Sequence, residues 1–229
     1  MSSKLIIALD YPTAEQALSF VKDLSPEFCK LKVGFELFVA TGPDFVKNLV
    51  DQGFDVFLDL KFHDIPNTVA SACKSAANLG VWMMNVHASG GDKMMRAAKQ
   101  VLLDIDSPAK LIAVTVLTSM DKAQLESSNV ILSPQDQVKS LAQLTKESSL
   151  DGVVCSAQEA KMLRSQLGND FLLVTPGIRP KGAEVGDQSR VMTPADAKVA
   201  GVSYIVVGRP ITQSETPLKV IDSINNDIS

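Results

Sequence analysis

Eight short apolar runs punctuate the chain, and longer amphipathic segments separate them. The runs are LIIAL (5–9), CKLKVG (29–34), DVFLDL (55–60), WMMNVH (82–87), LIAVTVL (111–117), GVVCS (152–156), FLLVT (171–175) and YIVVG (204–208). Several are rich in Val and Ile and nearly unbroken, as expected of parallel strands buried on both faces. Between them, residues 13–23, 44–51, 66–79, 91–103, 134–148, 157–167, 193–200 and 210–225 carry apolar residues at mostly helical spacing. Thr13, with Glu15 and Gln16 behind it, has the composition of a helix cap. Pro43, Pro66, Pro134, Pro194 and Pro210 each stand near a helix start, where a missing N–H costs nothing.

Roughly one βα unit per 25–30 residues, eight times over, is the arithmetic of a (β/α)8 TIM barrel. An open doubly wound sheet is the alternative. Against it, the first strand runs into LDYPT (9–13) rather than a glycine-rich phosphate turn. Neither a linker nor a low-complexity tract divides the chain, so residues 1–229 read as one barrel domain.

Composition excludes several classes. The net charge is −4, aromatics are 5%, and Lys and Arg form no dense run. Nucleic acid is therefore not an expected partner, because binding it requires a clustered basic face. Cys29, Cys73 and Cys155 are far apart and odd in number, which argues against a disulfide framework or a structural zinc site. The apolar run near the start is too short for a signal peptide and ends at Asp10. No stretch approaches the ~18 apolar residues of a spanning helix. A cytoplasmic location without membrane contact is the expectation.

Barrels carry their chemistry at the C-terminal ends of the strands. Read in order, those ends supply Asp10, Lys32, Asp59 with Lys61 and then Asp64, Asn85 with His87, Thr118 with Ser119, TPGIR (175–179) and VVGRP (206–210). The opposite ends, such as LGV (79–81) and GVS (201–203), are plain. This asymmetry predicts an active site. Gly177 with Arg179, and Gly208 with Arg209, follow the last two strands, where barrels often hold phosphate. Glycine admits backbone N–H groups to an anion, and arginine binds one bidentately. Two turns with surface arginines would look the same. The polar segment 175–190 is expected to form a flap over the site, bringing Gln188 to the ligand.

Strand alternation points Asp59 and Lys61 to one side, with Leu60 to the other. An ammonium flanked by carboxylates stays protonated, so this lysine suits proton donation better than Schiff-base chemistry. The carboxylates repel a substrate carboxylate, and the lysine attracts a developing carbanion. Decarboxylation or carbanion protonation fits that pair. A strand-end salt bridge would leave Lys32 and Asp10 unexplained. A divalent metal site would use Asp59, Asp64 and His63 or His87, but Lys61 already neutralises the carboxylates. His63 and His87 fit structural hydrogen bonding as well as catalysis, and Asn85 and His87 could support the charges from behind.

In order along the chain, ALDYPT, LKVGFELF, DLKFHDIPNT, NVHASGG, VLTSM, DGVVCSAQEA, LVTPGIRP, GDQ and VVGRPIT resemble the orotidine 5′-phosphate decarboxylase family in its bacterial form. The resemblance covers essentially the whole chain. It implies conversion of orotidine 5′-phosphate to UMP and carbon dioxide, the last step of UMP synthesis, with no metal or organic cofactor. By the same resemblance Lys61 donates the proton to C6 of the pyrimidine, and Asp59 sits beside the leaving carboxylate. Lys32 links to Asp59 and contacts the ribose, as does Asp10. Thr118 lies near the base, and Arg179, Gln188, Gly208 and Arg209 serve the phosphate and flap. Ile65 is among the implied substrate contacts, and a homodimer is implied in which Asp64 and Thr68 complete the partner's site.

Overall fold

In the computed structural model, which describes residues 3–180 and 192–229, eight parallel strands close on themselves in sequence order. They are β1 (Leu5–Ala8), β2 (Lys30–Val33), β3 (Val56–Phe62), β4 (Met83–His87), β5 (Lys110–Val114), β6 (Gly152–Val154), β7 (Leu172–Thr175) and β8 (Tyr204–Val207). Each expected apolar run overlaps one of them, with β3 running on to Phe62 and β5 starting at Lys110. β8 pairs with β1 through Leu5 and Ile205, Ile6 and Val206, and Ile7 and Val207, which shuts the barrel.

Helices alternate with the strands: α1 (Ala14–Val21), α2 (Phe35–Thr41), α3 (Pro43–Asp51), α4 (Pro66–Ala77), α5 (Asp92–Asp104), α6 (Lys122–Ser127), α7 (Pro134–Glu147), α8 (Ala157–Leu167), α9 (Pro194–Val199), α10 (Arg209–Thr212) and α11 (Pro217–Ile228). Their starts follow capping chemistry. The Thr13 hydroxyl accepts from the Gln16 N–H, and Ser156 forms a reciprocal capping box with Glu159. Two departures from the sequence reading concern helices. The segment 210–225 is two helices, not one, because Pro217 lacks the N–H needed to continue α10 and instead opens α11. The short α2 and α6 were not expected. α2 leaves Phe35 and Val39 exposed, so it carries no clean apolar stripe.

Alternation along the strands sorts the core into two regions. Ile6, Phe57, Met83, Ile112, Val174 and Val206 fill the barrel interior. Their neighbours Ile7, Leu58, Met84, Leu111, Leu173 and Ile205 face outward to the helices. Both sets are buried, which is why the runs read as continuously apolar. Gly152 marks the tightest point of the wall. A Cβ there would lie 2.3 Å from the Leu172 carbonyl oxygen, so β6 and β7 approach only because the side chain is missing.

The N-terminal end of the barrel is stoppered. Lys30, only 3% exposed, pairs with Asp55 and places its ammonium 4.6 Å from the Trp82 ring centroid. Trp82 meets Tyr204 edge to face at 4.9 Å. The cation, its carboxylate and the two rings satisfy one another across this end. Among the described residues no helix is long and apolar enough to cross a membrane.

Candidate active site

Parallel pairing puts the C-terminal ends of all eight strands on one rim. Four charges stand in a row there. Lys32 Nζ lies 3.2 Å from Asp10 Oδ1 and 3.6 Å from Asp59 Oδ2, and Lys61 Nζ lies 2.7 Å from Asp59 Oδ1. Lys32 and Asp59 are largely shielded, with side-chain exposures of 12% and 14%. Burial alone would push the Asp59 carboxyl up. The Lys32 and Lys61 ammonium groups, with hydrogen bonds from Lys61 and Asn85, outweigh it and hold Asp59 below the usual carboxylate value.

β3 is irregular where the charges begin. Its register with β4 runs through Phe57–Met83 and Leu58–Met84, then shifts and resumes at Phe62–Val86. Lys61 sits in the shift with φ of 47°. Among the described residues the other non-glycine residues with positive φ, Asp106, Asn129 and Ser149, follow helices, where that conformation is ordinary. For a lysine inside a strand it costs on the order of 1–2 kcal/mol. The Lys61 ammonium also lies 5.0 Å from the Phe35 ring centroid. Sequence reasoning passed over Phe35 because α2 was not recognised. It also passed over Gly34, where a Cβ would stand 3.0 Å from Lys32 Nζ.

Above the charges, a cavity of about 170 Å³ is lined by Lys32, Asp59, Lys61 and Thr118, with Val154, Val174 and Pro176 as apolar walls. Charged groups on one side and apolar walls on the other suit a flat polar ring. Arg179 and Arg209 extend from the ends of β7 and β8. Burial, then the neighbouring Arg209 guanidinium, lowers Arg179 from its ordinary value, so two cations are held within mutual reach. A Cβ on Gly208 would lie 3.5 Å from Asp10 Oδ2, which sets this end of the rim beside the row of charges.

Asp64, Ile65 and Thr68 are exposed, and none of them lines that cavity. Asp64 Oδ1 accepts the Ile65 N–H at 2.6 Å and makes no ion pair among the described residues. His63 and His87 face each other with ring centroids 5.6 Å apart. Burial, then His63 and Lys61, lowers the His87 value. Among the described residues no three His, Cys, Asp or Glu side chains are grouped to hold a metal ion. Gln188 and most of the expected flap lie outside the described residues.

A closed (β/α)8 barrel with a charged, partly apolar cavity on its C-terminal rim defines a TIM-barrel enzyme. The family model described as orotidine 5′-phosphate decarboxylase / HUMPS family matches residues 3–224, and the chain belongs to that family. Orotidine 5′-phosphate decarboxylase of Pseudoalteromonas translucida is 60% identical over 228 residues, covering 99% of this chain and 97% of the relative. The enzyme of the same name from Nitrosococcus oceani is 57% identical over 227 residues, covering 99% and 98%. The crystal structure of orotidine 5′-phosphate decarboxylase from Lactobacillus acidophilus superposes with a TM-score of 0.89 at 42% identity, covering all of both chains. That from Pyrococcus horikoshii, at 24% identity and a TM-score of 0.79 over 98% of each, shares the fold.

Proposed function

We propose that this chain, as a single-domain barrel in the cytoplasm, decarboxylates orotidine 5′-phosphate to UMP and carbon dioxide, the last step of de novo UMP synthesis. The reaction uses no cofactor. The observation that carries this reading is the row Asp10–Lys32–Asp59–Lys61, with Lys61 Nζ 2.7 Å from Asp59 at the cavity floor. The family relationship supplies the substrate.

The substrate carboxylate lies beside Asp59, whose charge repels it. The C6–carboxylate bond breaks, carbon dioxide leaves, and the electron pair stays on C6. The Lys61 ammonium stabilises that carbanion and gives it a proton, and solvent returns the proton to the amine. Lys32 keeps Asp59 ionised and, with Asp10, holds the ribose. Thr118 lies near the base. Fixed charges in a shielded cavity must provide the rate enhancement, which enzymes supply at about 8–23 kcal/mol.

Arg179, Gln188, Gly208 and Arg209 hold the phosphate and flap. Binding the phosphate away from C6 fixes the base over Lys61. Ile65 contacts the substrate, and Asp64 and Thr68 act in the partner's site of a homodimer. Their exposure in the single chain, with Ile65 at 68%, leaves them available to a second copy. Nucleic acid and membranes have no part in this reading.

The test is loss of orotidine 5′-phosphate absorbance with purified, chelator-treated protein. Turnover is expected. No turnover, or turnover that returns only with magnesium, would overturn the proposal in favour of a metal-dependent phosphosugar enzyme.

A further inference from the structure

Where the β3 register shifts, Asp59, Leu60 and Lys61 have no paired residue on β4. A backbone N–H left without its ladder partner inside a protein must find another acceptor. For Lys61 that acceptor is a side chain: its N–H donates to Asn85 Oδ1 at 2.7 Å. The same amide donates from Nδ2 to Asp59 Oδ1 at 2.7 Å. Asn85 is completely buried on β4, one inward position beyond Met83, so its amide meets the protein rather than water.

Few side chains could make both contacts. One end must accept from an N–H and the other must donate to a carboxylate. Turning the amide over would set N–H against N–H and oxygen against carboxylate, so its orientation is fixed by chemistry. Aspartate would face Asp59 with like charge. Leucine would leave the N–H and one carboxylate contact unmade. Glutamine would displace the amide by one methylene from both contacts and crowd a buried position.

The two contacts lie on the two members of one ion pair. Asp59 Oδ1, which receives the Asn85 donor, is also the atom that binds Lys61 Nζ. We infer that Asn85 is a positioning residue: one buried amide fixes the left-handed backbone of Lys61 and the orientation of the Asp59 carboxylate, and so sets where the Lys61 ammonium points. The inference rests on the proposed role of Lys61 as proton donor. A misplaced donor slows the chemical step, whereas contacts to ribose and phosphate lie elsewhere on the rim. That separates it from the plain alternative, a core amide that only satisfies its hydrogen bonds.

The test uses Asn85→Ala and Asn85→Ser in the full chain with Lys61 and Asp59 intact. In Asn85→Ala, kcat is expected to fall at least ~10-fold while Kd for UMP stays within ~3-fold. Asn85→Ser, whose hydroxyl can accept and donate, should recover part of the loss. It also carries the test if Asn85→Ala does not fold. In parallel, NMR should find the Lys61 amide of the wild type slow to exchange with solvent, and fast in Asn85→Ala. Three outcomes overturn the inference: kcat within ~2-fold of wild type, kcat and UMP affinity falling together, or a wild-type Lys61 amide without protection. Wild-type protein that turns over and dies in Lys61→Ala, but tolerates Asn85→Ala, would remove this inference alone. Wild-type protein without turnover would remove it together with the function.

Discussion

Lys30 and Lys32 stand two residues apart on one strand and point the same way, yet they serve opposite ends of the barrel. Lys30 pairs with Asp55 and stacks on Trp82 in the stopper, whereas Lys32 bridges Asp10 and Asp59 on the rim. On the proposed reaction one strand separates stability from chemistry by two residues, and substitutions should separate them too.

Removing the Asp55 carboxylate takes away the opposite charge that faces the buried Lys30 ammonium. Asp55 is about half exposed, so the loss is less than for a fully buried pair. Asp55→Ala is expected to lower unfolding free energy by about 1–3 kcal/mol, with kcat at 25 °C unchanged. Urea denaturation reads the first and the absorbance assay the second. Lys30→Met should be neutral or stabilising, since apolar replacements of buried ions often are.

Lys61→Ala tests the opposite end. Turnover should collapse by at least ~10²-fold, the lower range for a positioned proton donor. Binding of UMP, measured by calorimetry, should persist. Unchanged turnover would remove Lys61 from the reaction.

Arg209→Ala should cut kcat/KM for orotidine 5′-phosphate by about 10–100-fold, the value of one or two charge-assisted hydrogen bonds. The unphosphorylated nucleoside should react almost as before. Equal losses for both substrates would take Arg209 out of the phosphate site.

Asp59 gives a pH prediction with a definite sign. Its folded value lies below the ordinary 3.8, so folding favours the ionised form. The associated stability is present above the ordinary carboxylate value and is lost as pH falls through the lower folded value. The gap in unfolding free energy between wild type and Asp59→Asn should therefore be constant near neutrality and close below about pH 4. A gap that stays constant through that range would show that the ion pairs do not depress Asp59.

The strands were legible because both faces of each are buried, so composition alone announces them. Pro217 divides 210–225 into two helices, whereas the sequence reading took Pro210 as the start of a single helix and placed no break there. α2 was hidden for a different reason: with Phe35 and Val39 exposed, its apolar residues mark no buried stripe. At the site, alternation correctly brought Asp59 and Lys61 together. What alternation could not convey was the shift in register that turns Lys61 into a left-handed conformation and gives Asn85 its two bonds. Such a shift depends on how β3 and β4 meet, which lies in no local pattern. Asp64 and Thr68 were expected at the site through a second copy and Ile65 as a substrate contact, and the single chain leaves all three on its surface.

Trp82, Tyr204 and Lys30 fill the N-terminal end of the barrel, and the charged cavity lies toward the other end. On the proposed reaction, carbon dioxide forms beside Asp59, nearer the sealed end than Lys61 along the same strand. The nucleotide then stands between the gas and the exit. On that reading the small product leaves past the large one, and the order of their release becomes part of the catalytic cycle.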